Sequence, residues 1–248
     1  MEAAVQFIKD YIKENPFIYD RLFKIKRSIG GKDPIYQVLD NYSRKLKHKV
    51  KFVQIGANDG LRNDPVREFI VRDQWSGILV EPVPYTFNEL KSNYAGFKDR
   101  GLVFVNAAIG SMNSMEFWTF KTAYLDKLAK EDRMDHLRKS SFSKEHVQKF
   151  VGNNEDFALI ADSIAVTCLS FKQLIDKFWS GGSIDLLVID AEGHEEVILK
   201  DMLDSDIKPL AIFYERHHLG NDSTLESQLL LNGYVITKLG GDAFAELL

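Results

Sequence analysis

Two apolar runs in this chain end in groups that can move protons. "IDLLVIDAEGHEEV" carries Asp190 straight out of a stretch of leucine, valine and isoleucine, then turns through Glu192 and Gly193. A carboxylate delivered by a buried run is costly to hold unless it is paired or used, so Asp190 reads as a group that orients an acceptor hydroxyl or binds a metal. "PLAIFYERHHLG" ends in Glu215, Arg216, His217 and His218. Histidine titrates near neutrality and suits removal of a proton from a hydroxyl, which makes the adjacent His217 and His218, and His194 after them, candidate bases. Glu195 and Glu196 open the helical stretch that follows Asp190, where the helix dipole alone accounts for them.

Groups at the ends of apolar runs need a sheet to hold them. From Val50 onward the runs "VKFVQI", "GILVEP", "LVFVNAAIG", "IAVTCL", "IDLLVIDAEG", "PLAIFYE" and "YVITKL" recur with helical patterns between them. Near-continuous apolar runs are the mark of strands buried on both faces, and their alternation with helices implies parallel crossovers. The expectation is an α/β fold with a doubly wound, mostly parallel sheet. Pro65, Pro84 and the pair Ser170 with Gln173 mark helix starts. Residues 1–48 show helical spacing at Val5, Ile8 and Ile12, at Ile18, Leu22 and Ile25, and again at Tyr36, Leu39 and Leu46. They read as an N-terminal helical extension, through which a homodimer could form, ahead of a main domain at 49–248. Residues 120–162 are charged in both signs and break the rhythm, which reads as a helical insertion able to serve as a lid.

The first run leads into "KFVQIGANDGLRNDP", a turn bracketed by Gly56 and Gly60. In an open parallel sheet the first strand-to-helix turn belongs to the ligand site. A nicotinamide fingerprint needs glycine at the first, third and sixth positions, which are Gly56, Asn58 and Leu61 here, so two of the three fail. The spacing instead fits the shorter glycine loop of class I S-adenosylmethionine enzymes. "GILVEP" then places Glu81 about 20 residues beyond the turn, where a carboxylate accepts hydrogen bonds from both ribose hydroxyls. "VNAAIG" supplies small residues, Ala107 and Ala108, against which an adenine ring can lie flat.

"FVQIGANDG" followed by "DP", then "VEP", "NAAIG" and "LLVIDAEGHEEVIL", resembles the FkbM-type family of S-adenosylmethionine-dependent methyltransferases over roughly residues 50–240. The resemblance implies a Rossmann-like fold and methyl transfer, usually to a hydroxyl of a sugar, polysaccharide precursor or natural product. It puts Gly56, Asn58, Gly60 and Glu81 on the cofactor motifs, to which Gln54, Asp59, Asn106 and Ala107 are added as donor-binding candidates. An acidic residue followed three positions later by histidine recurs in the family, and here that pair is Glu215 and His218. A divalent metal is possible on this reading, but no motif indicates one.

Composition narrows the partners. With a net charge of -4, nothing in the overall charge balance points to a polyanionic partner such as nucleic acid, and none is expected. No stretch reaches the roughly 18 apolar residues of a membrane span, and the start lacks a signal-peptide pattern, so a cytoplasmic protein without stable membrane insertion is expected. The single Cys168 sits in an apolar run as a buried small residue. Two other functions compete with O-methyl transfer to a small-molecule or glycan acceptor: a dinucleotide-dependent oxidoreductase or epimerase, and a cofactor-binding module without catalysis.

Overall fold

The computed structural model describes residues 15–21, 33–110, 113–151, 157–217 and 224–248. Its main sheet has seven strands in the order β3-β2-β1-β7-β8-β10-β9. These are β1 (Lys51–Ile55), β2 (Ser76–Val80), β3 (Leu102–Val105), β7 (Leu186–Ile189), β8 (Ala211–Glu215), β9 (Tyr234–Leu239) and β10 (Asp242–Leu247). The first five in spatial order are parallel, and β10 runs antiparallel to both of its neighbours. The fold is therefore Rossmann-like α/β with a mixed sheet, as the run pattern predicts.

The strand sequences dictate this burial. All four residues of β7, "LLVI", are buried, and alternate side chains enter different cores. Leu187 and Ile189 join Val53, Ile55, Ile78 and Val80 on one face. Leu186 and Val188 join Phe52, Leu79, Phe69 and Trp75 on the other. A period of two with both faces covered is what a central parallel strand requires. Helix α1 (Pro34–Lys45) lies on the second face through Leu39 and Tyr42, and the Tyr42 hydroxyl donates to the Asp185 carbonyl at 2.7 Å. The apolar positions at Val5, Ile8, Ile12, Leu22 and Ile25 lie outside the described residues.

Helix α2 (Arg67–Asp73) begins two residues after Pro65, because Asp64 rather than the proline organises its first turn. Helix α3 (Pro84–Asn93) starts at its proline as predicted. Ser170 and Gln173 form a complete capping box at the head of the helix Phe171–Phe178.

"IAVTCL" departs from expectation. It belongs to β6 (Ala161–Leu169), which leaves the main sheet and pairs antiparallel with β5 (Ser114–Phe120) and parallel with the short β4 (Ala108–Ile109). Between β5 and β6 the chain forms the helices α4 (Thr122–Leu125), α5 (Lys130–Leu137), α6 (Lys144–Gln148) and α7 (Phe157–Ile160). These share an apolar cluster with the small sheet, built on Phe117, Phe120, Leu125, Met134, Leu137, Val147 and the buried Cys168. Among the described residues no helix is long and apolar enough to cross a membrane.

Candidate functional site

The chain crosses from one half of the sheet to the other between β1 and β7, and the two strands end side by side. The Asp190 amide donates to the Ile55 carbonyl at 3.0 Å. Gly56 follows with φ +80°, and a Cβ there would overlap the Asp190 carbonyl oxygen, so only glycine lets the two strand ends approach this closely. A crevice at such a switch point is where open α/β sheets bind ligands. The cleft here encloses about 840 Å³, including its mouth. That lies within the range of cofactor sites.

The turn is built by its own polar groups. Gly56 and Ala57 amides both donate to the Val80 carbonyl, at 3.0 and 2.9 Å, tying the turn to the end of β2. Asn58 takes a left-handed φ of +49°, which asparagine tolerates, and its amide donates to Glu81 Oε2 at 3.0 Å. The Val83 amide donates to Glu81 Oε1 at 3.0 Å. Glu81 is buried, and burial lifts its carboxyl to about 7, against the two amide bonds that favour the charge, while the charges of Asp59 and Asp190 raise it further. A carboxylate has about four acceptor sites, and two are used here, leaving one free on each oxygen.

Gln54, Gly56, Asn58, Glu81 and Ala107 line the cleft, together with Val83, Ala108 and Ile109. Asp59, Gly60 and Asn106 are not among the lining residues. Asp59 Oδ1 accepts from the Leu61 and Arg62 amides, which shapes the turn from behind. Gly60 has φ +62°, and a Cβ there would stand 2.5 Å from Leu90 and Tyr94, so it serves the packing of α3. Asn106 Nδ2 donates to the carbonyls of Glu81 and Pro82, bracing the end of β2.

Acids gather on the opposite wall. Asp190 is open to water inside the cleft yet surrounded by protein, and its carboxyl is lifted to about 7 by that desolvation and by Glu215 and Glu195. Glu192, in a left-handed turn, is lifted to about 8 by burial and by Asp190. Its Oε2 lies 3.4 Å from His146 Nε2. The ring of His194 packs 4.3 Å from that of Phe142, burial lowers its pKa, and Nε2 has no partner among the described residues. All three line the cleft.

Glu215 ends β8 and does not line the cleft. Asp190, Glu195 and Glu215 each place an oxygen within 4.8 Å of the others, the geometry a cation would need. However, Glu195 is already committed, accepting from the amides of Ala191 and Gly193, which holds the turn at the head of the helix Glu195–Asp204. His217 is exposed beside Gly241. His218 lies outside the described residues.

The same wall holds residues that spacing does not reveal. Phe117 comes from β5, and Leu137, Arg138, Ser140 and Phe142 come from the insertion. Arg62 and Asp64, from the loop after the turn, complete it. Asp64 Oδ1 accepts from the Val66 and Arg67 amides and from Gln54 Nε2, while Gln54 Oε1 has no partner among the described residues. The "NDP" string signalled a helix start but not this link to the strand.

The chain matches the Methyltransferase FkbM domain over residues 54–236. No curated protein matches it significantly. Several solved structures are similar at low identity. The methyltransferase FkbM from Methylobacillus flagellatus KT is 12% identical with a TM-score of 0.47, covering 80% of this chain and 43% of that one. This chain thus spans less than half of that protein. The SAH-bound Podospora anserina methyltransferase PaMTH1 is 10% identical with a TM-score of 0.46, covering 100% and 96%. The putative methyltransferase yhhF from Escherichia coli is 11% identical with a TM-score of 0.43, covering 87% and 86%. The family match takes in the glycine turn, Glu81, the Asp190 strand end and β8, more than half of the chain, and the chain therefore belongs to the FkbM methyltransferase domain family.

Proposed function

We propose that this chain is an S-adenosylmethionine-dependent O-methyltransferase whose acceptor is a hydroxyl of a sugar, polysaccharide precursor or natural product. Family membership implies the donor. The observation that carries the reading is Glu81: both of its oxygens are fixed by backbone amides, each keeps an acceptor site, and the carboxyl faces a cleft whose other wall carries Asp190. A ribose presents two hydroxyls that such a carboxylate can receive. Val83, Ala107, Ala108 and Ile109 offer the apolar seat an adenine needs, and Gly56 and Asn58, which line the same cleft, are the residues that would hold the methionine side.

When bound, the sulfonium supplies an electrophilic methyl group. The protein has then to align the acceptor oxygen with it and to remove the hydroxyl proton, which together account for most of the achievable rate. Asp190 is suited to the proton. Its pKa of about 7 makes it a stronger base than an ordinary carboxylate while leaving it half ionised at neutrality. His218, three residues beyond the end of β8 in the sequence, is the second candidate, paired with Glu215. His194, held neutral by burial, can accept a hydrogen bond from the acceptor through Nε2. The β5–β6 insertion forms one side of the cleft, and we assign it the role of a lid that excludes water from the acceptor. The buried, unpaired Cys168 is compatible with a reducing compartment, and we place the enzyme in the cytoplasm.

Calorimetric titration with S-adenosylhomocysteine and with NAD tests the donor. Transfer of labelled methyl from S-adenosylmethionine to a panel of hydroxylated sugars tests the reaction. Binding of NAD in place of S-adenosylhomocysteine would overturn the reading, as would methylation confined to amines.

A further inference from the structure

Two arginines line the cleft from separate elements. Arg62 comes from the loop after the glycine turn, and Arg138 from the C-terminal end of α5 in the insertion. Neither is fully satisfied. Arg62 has a side chain 8% exposed and gives Nη1 to Asp59 at 3.2 Å, but its buried Nε has no partner among the described residues. Arg138 gives Nη2 to Asp135, and its buried Nη1 likewise has none. A cation at a helix C-terminus needs no cavity to be favourable; Arg138 instead lines one.

Among the described residues each guanidinium makes one ion pair through a single nitrogen, Arg62 with Asp59 and Arg138 with Asp135, and Arg138 also feels the charges of Asp59, Glu192 and Arg62. Desolvation is the first cause that lowers the Arg138 pKa; Asp59, Tyr19 and Glu192 raise it and Arg62 lowers it. Glu192 is the nearby acid that could neutralise the pair from the cleft. Burial and the neighbouring Asp190 lift its carboxyl to about 8, which opposes its ionisation. Two buried guanidiniums that line one cavity carry N–H donors of the kind that match the oxygens of a carboxylate or phosphate, which accept from arginine in a bidentate fork.

We propose that Arg62 and Arg138 form a seat for an anionic group, a phosphate or carboxylate, carried by the methyl acceptor. This rests on the methyltransferase reading and narrows its substrate to acidic or phosphorylated compounds. The insertion then does more than cover the site: it brings one half of the specificity pair.

The test uses the full chain with S-adenosylhomocysteine bound, titrated with inorganic phosphate, glucuronate and glucose. Either anion should bind while glucose does not, and the tighter of the two identifies the group. Arg62→Gln and Arg138→Gln should each weaken that anion by about tenfold or more, and Arg138→Lys, which keeps the charge but loses the fork, should fall between. Affinities for S-adenosylhomocysteine and for 5′-methylthioadenosine should stay within about twofold, which also shows that the variants are folded. Anions that bind no better than glucose, or equally well to both glutamine variants, would overturn the proposal. So would an Arg138→Gln variant that loses S-adenosylhomocysteine but keeps 5′-methylthioadenosine, since the pair would then serve the donor's carboxylate. If S-adenosylhomocysteine binds to no form of the protein, the methyltransferase reading fails separately, and anion titration of the donor-free chain still reports on the arginine pair.

Discussion

Removing the Glu81 carboxylate should weaken donor binding through two separable effects. In Glu81→Ala the ribose hydroxyls lose charge-assisted acceptors worth roughly 1.5 to 3 kcal/mol each, which sets a loss of at least about tenfold in affinity. The Asn58 and Val83 amides also lose their partner, loosening the turn. pH separates the first effect from the second. Burial places the Glu81 pKa near 7, and only the ionised form accepts from both hydroxyls. If ionisation is required, the wild type should bind S-adenosylhomocysteine about tenfold more weakly at pH 6 than at pH 8. Glu81→Gln cannot ionise, so it should be weak at both and lack this component of the pH dependence. Isothermal calorimetry on the two proteins at both pH values gives the comparison. An alanine variant with unchanged affinity would remove Glu81 from the ribose site, whereas a wild type whose affinity is flat from pH 6 to 8 would show that Glu81 is already ionised at pH 6.

Asp190→Asn should leave S-adenosylhomocysteine affinity within about twofold and lower kcat by roughly 10² or more, abolishing an acidic limb near pH 7. A variant that keeps that limb while His218→Gln loses it would transfer the base role to His218. Gly56→Ala must push a methyl group into the Asp190 carbonyl at a left-handed φ, and it should cost more than about 2 kcal/mol of stability in chemical denaturation, with donor binding lost. Glu81, Asp190 and Glu192 all have folded-state pKa values above their ordinary ones. Between about pH 4 and 8 the folded chain therefore holds more protons than the unfolded one, so its stability falls as pH rises through that window. Thermal denaturation of the ligand-free protein should show this fall, and Asp190→Asn with Glu192→Gln should flatten it.

The parts of this fold that a linear reading can recover are those in which burial is uniform along the chain. "FVQI", "GILV" and "LLVI" carry one polar side chain among them, the buried Gln54, because both faces of a central parallel strand are covered, and the carboxylates that follow the last two, Glu81 and Asp190, stand at the sheet's edge by simple extension. β5 and β10 escape notice because "SMEFWTF" and "DAFAEL" mix charges with aromatics, and the patterns do not say what they pair with. Nor does the run "IAVTCL" say which sheet it joins; that depends on β5 arriving beside it. Gly60 and Asp59 carry the same signature as Gly56 and Asn58, yet they pack behind the turn, since a glycine needed for close helix packing cannot be told from one needed at a ligand. Arg138, Ser140 and Phe142 sit about 80 positions beyond the glycine turn in a segment of mixed charge, and only tertiary folding brings them to the cleft.

The central claim is that one cleft holds the donor through Glu81 and deprotonates a hydroxyl with Asp190. Its most direct measurement is methyl transfer from labelled S-adenosylmethionine to a phosphorylated or uronate sugar, run in parallel for wild type, Glu81→Ala and Asp190→Asn with donor affinity measured on each. Wild type should give an O-methylated product, Glu81→Ala a raised donor KM, and Asp190→Asn a lowered kcat at nearly unchanged donor affinity. Turnover unaffected by Asp190→Asn, or donor affinity unaffected by Glu81→Ala in a protein that binds S-adenosylhomocysteine, would contradict it.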